Sequence, residues 1–554
     1  MNIIRSGGEM LRTAIAAIGG AELVGAIGGS VQHWINVLSG GPATQYADRY
    51  LLSANPIMQA INALPATGGI VRLSNRAYPP VRTTYDAGYI SKPNLSIQGS
   101  QKPSLAANCD RLEGGSIIQG RFNVWADNFT IENVGIDAGK YVVDTHYGGL
   151  DTHSANNPDG GNPSTWDGFA FAQPNGITPL PAVRNFTARN LIGLNRDSLS
   201  FGHAVLMEGF NGGLIDNVQG VYGVHALVIK AENVMVGSVA GYAASVDHVI
   251  IKSDTYAKGA NVQINSVSTD AMPPGISAMW SPPAVCSFGL YLHAATADLT
   301  GVKISKARLK GATALLRGNA DSVARNMDNV MISSLECAGI GMANAIGINF
   351  SGATFDRIRL GSVTISNCAD GIAYQQLGGF SDDALEIDAL KLDSISLRGI
   401  QARNFGRLVI NHLRAVSVVG MYAIDDTARI HVGRESLSLV TNKFTLNPPS
   451  LTAGWQQLAG NSTFRLALGG YGVELEGLLQ PTGTPSAHVI NLPPYLKPVE
   501  PVRMMALSRD GANIDAARFV KLGGENATLS INDGAGIVGA ENFLSLDNLS
   551  YRLD

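Results

Sequence analysis

A short pattern of alternating apolar residues recurs along most of the chain and limits what the chain can fold into. The pattern is x-φ-x-φ-x-x-φ, where φ is apolar, and clear copies are NFTIENV from Asn128 and NVMISSL from Asn329. From Gly301 to Arg429 successive copies begin 28, 28, 27, 23 and 22 residues apart. Alternation with a period of two predicts strands with one buried face. A repeat of this length predicts a solenoid, so we expect an all-β fold, a right-handed parallel β-helix of about 12 coils.

The composition agrees with a chain that buries much of its surface and narrows the possible partners. Only 15% of the 554 residues are charged, against about 25% in average domains, and 64 residues are glycine. A net charge of −4 argues against a generally basic nucleic-acid binder. The four cysteines form no CxxC pair, so we expect buried thiols rather than a zinc site. No segment resembles a membrane-spanning helix, and we expect folding in a cytoplasm without membrane insertion.

Two intervals between copies of the pattern are too long for one coil. The interval after Asn128 is 57 residues, and the interval after Asn261 is 40 residues. We therefore predict that two loops, 141–181 and 270–286, leave the coils, since binding sites are often built on such loops. Each predicted loop carries one tryptophan that either stacks on a sugar or anchors the loop, namely Trp166 and Trp280.

The two ends of the chain lack the repeat and predict separate regions. Residues 1–50 are rich in Gly and Ala and form the predicted N-terminal adaptor segment. Residues 51–445 form the predicted β-helix. Beyond Asn447-Pro448-Pro449, runs such as FRLALGG and VELEGLL are typical of short antiparallel strands. Residues 446–554 are therefore predicted to form a C-terminal antiparallel β-sandwich for trimerisation or carbohydrate binding.

A second strand in each coil predicts a polar column on the outer surface. Examples are HALVIK from His225 and HVIIKS from His248, in which alternate apolar residues face the core. Neighbouring strands lie about 4.8 Å apart, so equivalent outward residues form a ladder along the axis. The preceding outward position is apolar, from Leu206 to Leu315, and predicts cover by a loop or a neighbouring subunit. The predicted polar ladder contains Glu208, Lys230, Lys252, His293, Arg317, Asn349 and Gln375.

Taken together, these features resemble bacteriophage tailspikes that have a pectate-lyase-like β-helix. The segment GGAELVGAIGGSVQHWI at 19–35 resembles the adaptor of phage tail proteins. The segment INALPATGGIVRLSNRAY at 61–78 resembles the helix and first strand of their β-helix. The resemblance implies a homotrimer in the virion tail, joined to a tail or baseplate protein through its N-terminus. It also implies binding and cleavage of a bacterial surface polysaccharide, O-antigen or capsule, and we expect no cofactor and no metal ion.

The segment VDHVIIKSD at 246–254 carries two further resemblances. It is similar to the DDCIAIKSG strand of polygalacturonases, which aligns Asp247 with the second catalytic aspartate and leaves Val246 in place of the first. It also resembles the lysine-bearing strand of β-helical alginate and chondroitin lyases. That resemblance implies that Lys252 takes the C5 proton of a uronic acid.

Two cleavage mechanisms are open, and β-elimination is slightly favoured. Elimination needs a base, either His248 or Lys252, and positive charge near the uronate carboxylate, which Lys230 would supply. Inverting hydrolysis needs two carboxylates about 6.5–9.5 Å apart, which Glu208 with Asp247 or Asp254 would supply. The catalytic candidates are Lys252, His248, Asp247 and Glu208. The substrate-binding candidates are Lys230, His225, His203, Asp254, His293, Arg317, Trp166 and Trp280.

Structural roles are the alternative for several of these residues. Glu208 and Lys230 would also form an ordinary salt bridge between coils. His203, His225 and His248 recur at spacings of 22 and 23, as expected if the repeat copies a hydrogen-bonded turn. The asparagines that begin the first strands are predicted turn and ladder residues. For the whole chain, the alternatives are a non-catalytic receptor-binding tail fibre and a secreted enzyme such as a uronan epimerase.

Overall fold

The computed structural model describes residues 43–552 apart from a number of internal segments. The internal segments of ten or more residues outside the described part are 79–89, 138–168, 172–181, 272–287, 445–454, 492–501 and 532–542. The described residues form an all-β protein dominated by a large parallel sheet, consistent with the predicted β-helix. They divide into two compact units with the boundary after Val239, so that the last three residues of the strand His225–Tyr242 belong to the second unit.

The first unit begins with one short strand and a short helical region and continues mostly as parallel strands, apart from one antiparallel pair, Ser104–Leu105 with Leu112–Glu113. A 3₁₀ turn covers Ala47–Tyr50 and helix α1 covers Pro56–Asn62. Helix α1 begins there because the Asn55 side chain accepts a hydrogen bond from the Met58 backbone N–H, and Pro56 occupies its first turn. The strands are β1 (Thr44–Tyr46), β2 (Gly69–Leu73), β3 (Ala77–Tyr78), β4 (Leu95–Gly99), β5 (Ser104–Leu105), β6 (Leu112–Glu113), β7 (Ser116–Gln119), β8 (Phe122–Asn123), β9 (Thr130–Asp137), β10 (Phe169–Phe171), β11 (Val183–Asn195), β12 (His203–Tyr222) and β13 (His225–Tyr242).

The core of the first unit is a column of apolar side chains, one from each coil. Ile97 pairs with Ile131, Ile131 with Ala188, and Ala188 with Ile215. All four are at most 1% exposed. The alternation of apolar and polar residues in the sequence produces this column, because every second side chain of a strand lies on the same face.

Asparagine side chains stabilise the turns of the first unit by hydrogen bonds from coil to coil. Asn128 donates to Asn94 at 2.8 Å, and Asn185 donates to Asn128 at 2.9 Å. The backbone φ angles of these three residues are positive, between 54° and 55°, which asparagine tolerates better than most residues. The predicted turn role of Asn128 and Asn185 is confirmed. The sequence analysis missed a second ladder, which consists of Asn133, Asn190 and Asn217 and accepts a hydrogen bond from Lys102 at Asn217.

The second unit continues the parallel pattern through the end of the repeats. Its strands are β14 (Asp247–Ser253), β15 (Gln263–Asp270), β16 (Phe288–Ala294), β17 (Leu299–Thr300), β18 (Lys303–Lys310), β19 (Thr313–Gly318), β20 (Arg325–Ala338), β21 (Ile346–Ser351), β22 (Ala353–Ser366), β23 (Asp370–Gln375), β24 (Leu385–Arg403), β25 (Arg407–Ile424), β26 (Arg429–Ser438) and β27 (Asn442–Phe444). Successive register partners form a core column that is at most 2% exposed: Ile264, Ile304, Ile332, Leu360, Ile387, Ile410 and Val432.

The C-terminal strands of the second unit are antiparallel, as predicted. One sheet has seven strands in the order β28-β31-β36-β33-β34-β35-β32, and another has the order β29-β30-β37. Their packing as a sandwich stays a prediction. The strands are β28 (Trp455–Gln457), β29 (Arg465–Gly469), β30 (Gly472–Glu476), β31 (Leu478–Pro481), β32 (His488–Asn491), β33 (Val502–Asp510), β34 (Asn513–Leu522), β35 (Thr528–Ile531), β36 (Phe543–Ser545) and β37 (Leu549–Arg552).

Several further predictions can be compared with the observed fold. The segment 141–181, predicted as a loop, contains strand β10, which pairs with β8 and β12 in the parallel sheet. Cys109, Cys337 and Cys368 are buried free thiols, as expected, while Cys286 lies outside the described residues. Of the adaptor 1–50, residues 1–42 also lie outside. Among the helices that the structure describes, none combines the length and apolarity needed to cross a membrane.

The predicted polar ladder is wrong at Asn349. Arg317 pairs with Ser351, and Ser351 pairs with Gln375, whereas Asn349 pairs with Leu315 in the neighbouring outward column. The reason is that Ile348 and Phe350 fill the core side of β21, which shifts the outward residues by two positions relative to the predicted alignment.

Four members of the apolar outward column are already buried within a single chain, while the side chain of Leu315 lies outside the described part. Leu206, Val228, Ile250 and Tyr291 are between 1% and 8% exposed. Their apolar surface therefore needs no neighbouring subunit to shield it. The predicted homotrimer loses this supporting argument and stays a prediction.

Candidate functional site

Three basic side chains lie side by side on the outer face of the second unit. Lys252 on β14 pairs with His293 on β16, and His293 pairs with Arg317 on β19. All three side chains are partly exposed. We call Lys252, His293 and Arg317 the basic column. Neighbouring strands are about 4.8 Å apart, so the column offers donors and positive charge at regular steps along the sheet.

Lys252 is held by an ion pair at the end of its strand. Its ammonium nitrogen lies 3.4 Å from Oδ2 of Asp254, whose side chain is 8% exposed, whereas that of Lys252 is 30% exposed. The other oxygen of Asp254 accepts a hydrogen bond from the Ala257 backbone N–H at 3.0 Å. Asp254, a predicted substrate ligand, therefore closes a turn and orients Lys252. The more exposed lysine is the member of this pair that a large ligand reaches first.

Tyr291 links the other two members of the basic column. Its ring stacks on the His293 imidazole with centroids 4.6 Å apart, and its hydroxyl accepts a hydrogen bond from Arg317. Burial raises the pKa of Tyr291 well above its usual value, so the hydroxyl stays neutral. The sequence analysis assigned Tyr291 only to the apolar column. In the sequence Tyr291 stands two residues before His293, and this proximity was a signal that Tyr291 contacts the polar ladder as well as the apolar column.

His248 is fully buried next to the basic column. Its Nδ1 atom lies 3.2 Å from the carbonyl oxygen of Phe288, and because a carbonyl only accepts, Nδ1 carries the proton. Nε2 is buried and has no hydrogen-bond partner among the described residues. Burial lowers the pKa of His248 to about 4, against smaller opposing effects of the Phe288 carbonyl, Asp247 and Asp270. The imidazole is therefore neutral at pH 7.

Asp247 shares the buried environment of His248. The aspartate is 2% exposed and pairs in register with Phe288. The carboxyl group and imidazole stand within electrostatic reach of each other, as predicted from their adjacency in the sequence. Because both groups are shielded, neither can contact a polysaccharide without movement of the surrounding residues. Among the catalytic candidates of the second unit, Lys252 is the accessible one.

The remaining candidates belong to the first unit and form two contacts. The Lys230 ammonium lies 2.9 Å from the Glu208 carboxylate, and the side chains are 13% and 14% exposed. The predicted salt bridge between coils is therefore present. The rings of His203 and His225 stack with centroids 5.2 Å apart, and the Asn195 amide donates to the His203 carbonyl. Stacking of the two rings agrees with the structural alternative for the repeated histidine, and the substrate-binding role of His203 and His225 stays a prediction.

The predicted site residues therefore fall into two groups, one in each compact unit. The first group contains Glu208 and Lys230, with the stacked His203 and His225. The second group contains Asp247, His248, Lys252, Asp254, His293 and Arg317. Trp166 and Trp280 lie outside the described residues. An inverting pair of Glu208 with Asp247 or Asp254 would use both units and stays a prediction.

The basic column in the second group has the donors and the positive charge needed to bind an anion. Arg317 supplies a guanidinium group, His293 an imidazole, and Lys252 an ammonium group. No group of three or more metal-binding side chains occurs among the residues that the structure describes. The arrangement is suited to a carboxylate or sulfate group of a polymer.

Comparison with known proteins adds one structural likeness. No protein-family model matches the chain, and no curated protein matches it. Among solved structures, the chain is similar to one described as "Geobacillus virus E2 - ORF18". The similarity has a TM-score of 0.34 and 13% sequence identity, and it covers 93% of this chain and 80% of the viral protein.

Proposed function

We propose that this chain is a bacteriophage tailspike that binds and cleaves an acidic surface polysaccharide of its host. In this proposal the parallel sheet winds into a right-handed β-helix, the C-terminal sheets pack as a sandwich, and three chains form a homotrimer in the virion tail. The tail-like segments at 19–35 and 61–78 support the assignment. The basic column is proposed to hold the polysaccharide.

The observation that carries this proposal is the direct register of Lys252, His293 and Arg317. A polymer that runs along the column meets one cationic or titratable group at each coil. The Lys252 ammonium lies 3.4 Å from Asp254, and Arg317 donates a hydrogen bond to the neutral Tyr291 hydroxyl. The carboxylate of an acidic sugar would be attracted by these cationic groups.

The favoured reaction is β-elimination with Lys252 as base. In the molecules in which Lys252 has lost its proton to water, and with it the ion pair to Asp254, the amine takes the C5 proton, the C5–H electron pair forms a C4–C5 double bond, and the C4–O bond breaks. The departing oxygen takes a proton from His293 in its imidazolium form or from water. Arg317 stabilises the negative charge that develops on the uronate carboxylate during proton removal. Asp254 orients the lysine, and the buried pair Asp247 and His248 supports β14.

The test is digestion of purified bacterial capsular and O-antigen polysaccharides, followed by ultraviolet absorbance and by polymer size. β-Elimination predicts a rise in absorbance from the unsaturated uronate together with a loss of polymer size. A loss of size without absorbance would contradict elimination and would favour hydrolysis by the carboxylates. Retention of polysaccharide without any loss of size would identify a receptor-binding fibre and contradict the depolymerase.

A further inference from the structure

A partly exposed tryptophan of the first unit lies in the same outward column as Glu208 and Lys230. Strand β8 pairs with β10, and β10 with β12, so that Asn123, Ala170 and Leu206 are register partners. Trp125 follows Asn123 by two residues, and Glu208 follows Leu206 by two. Because side chains alternate along a strand, Trp125 and Glu208 are on the same outward face, two coils apart.

The indole of Trp125 extends along this face towards Glu208. A Cβ atom placed on Gly209 would lie 2.5 Å from the outer edge of the six-membered ring, so the ring packs directly on the Gly209 backbone. Gly209 has φ +78°, a conformation that favours glycine. Phe210 supports the indole from the core side, with ring centroids 6.4 Å apart. The ring is therefore held in one orientation rather than left to rotate.

Next to the ring is a polar pair that carries no net charge. Glu208 directly precedes Gly209 in the chain. Its carboxylate lies 2.9 Å from the Lys230 ammonium nitrogen. The side chains of Lys230 and Glu208 are 13% and 14% exposed, so the pair borders solvent. An aromatic face beside such groups matches the two surfaces of a pyranose, the apolar C–H face and the rim of hydroxyls.

We propose that Trp125, Glu208 and Lys230 form a binding subsite for an uncharged pyranose residue. The inference rests on the proposed polysaccharide-binding function and assigns a second subsite to it, in the first unit. The sugar ring stacks on the indole, and its hydroxyls bind the carboxylate and the ammonium group. Because the polar pair is neutral, this subsite selects a neutral sugar, whereas the basic column selects an acidic one.

The experiment first identifies a ligand and then removes the indole. Wild-type protein is applied to an array of purified bacterial capsular and O-antigen polysaccharides. The retained polymer, or its limit-digest oligosaccharides if it is cleaved, is titrated into wild type, Trp125→Ala and Trp125→Phe. We expect about tenfold weaker binding for Trp125→Ala and a smaller loss for Trp125→Phe, which keeps a flat ring. Tyr46→Ala, at another half-buried aromatic residue of the first unit, is the matched control and should bind like wild type.

Two further measurements separate the subsite from a structural role. The loss in Trp125→Ala should persist at high salt because stacking is not ionic, whereas the loss in Arg317→Ala should shrink with salt. The tryptophan fluorescence of wild type should change on titration, and that change should be smaller in Trp125→Phe. If wild type binds a polymer and Trp125→Ala binds it equally well, the subsite is wrong and the proposed function stands. If wild type binds no polymer on the array, both the subsite and the proposed function are wrong.

Discussion

The two units each present a polar column on the outer face of a parallel sheet, but the columns balance charge differently. In the first unit Glu208 and Lys230 form a pair that is nearly shielded from solvent. In the second unit Lys252, His293 and Arg317 are adjacent, and the carboxylate beside Lys252 is held in its own turn. The same repeat therefore produces a neutral column in one unit and a basic column in the other.

This difference shows that a β-helix can vary its surface chemistry without changing its core. Replacing one outward residue per coil changes charge, while the inward residues of the same strands stay apolar and buried. A ligand at the first column would be recognised by stacking, and a ligand at the second by ionic contacts. The predictions below test whether the two columns are as different as their charges indicate.

The largest expected effect is on cleavage by the basic column. Lys252→Ala should lower the cleavage rate by about 10²–10⁴-fold, because it removes the proposed base. The rate is measured by the absorbance of unsaturated products, with folding checked by circular dichroism. Lys306→Ala, at an exposed lysine on β18 of the same unit, should cleave like wild type. Full activity of Lys252→Ala would remove the main functional difference between the two columns.

The next effect is the pH dependence of stability caused by His248. The pKa of this imidazole is about 4 in the folded protein, below its usual 6.5, because burial disfavours the charged form. Between these values the unfolded chain binds a proton that the folded chain does not. The free energy of unfolding should therefore fall by about 3 kcal/mol as the pH drops from 6.5 to 4.

Urea unfolding at several pH values measures this contribution. His248→Gln should flatten the dependence over this window, while His412→Gln, at an exposed histidine of β25, should leave it unchanged. Asp247 and Asp270, which act on His248 electrostatically, are kept in both variants. An unchanged slope in His248→Gln would mean that other groups of the second unit cause the acid sensitivity.

The smallest effect concerns the stability of the neutral column. Glu208→Ala removes the carboxylate partner of a largely buried ammonium group and should cost about 1–3 kcal/mol. Glu336→Ala breaks an exposed pair with Arg308, in which the side chains are 48% and 59% exposed, and should cost about 0–1 kcal/mol. Thermal unfolding compares the two variants. Equal losses would show that the Glu208–Lys230 pair is as weak as a surface pair.

Much of the fold follows directly from the sequence pattern. The apolar core column from Ile264 to Ile410 was predictable because strand side chains alternate with a period of two. The asparagine ladder at Asn128 and Asn185 was predictable because asparagine tolerates positive φ. The ladder partners Lys252, His293 and Arg317 also followed from counting outward positions. Counting failed at Asn349, because Ile348 and Phe350 fill the core side of β21 and Ser351 is therefore the register partner of Arg317.

The candidate site was harder to predict than the fold. The burial of His248 depends on the neighbouring coil, whose Phe288 carbonyl binds the imidazole across 40 residues of sequence. Tyr291 belongs to an apolar column by position, yet it contacts His293 and Arg317 because its hydroxyl extends beyond its own strand. Trp125 was not singled out, since β10, the strand that sets its register, falls in a segment predicted as a loop.

By itself, the sequence determined the all-β class, the repeat, the inward and outward faces of the strands, and the antiparallel character of the C-terminal strands. These depend on local alternation and on spacing along the chain, both of which can be read from residue order. Only the tertiary structure decided which outward residues are accessible and which are paired. Exposure and ion pairing depend on side chains from neighbouring coils, which are 20 or more residues apart in the sequence and only about 4.8 Å apart in the sheet.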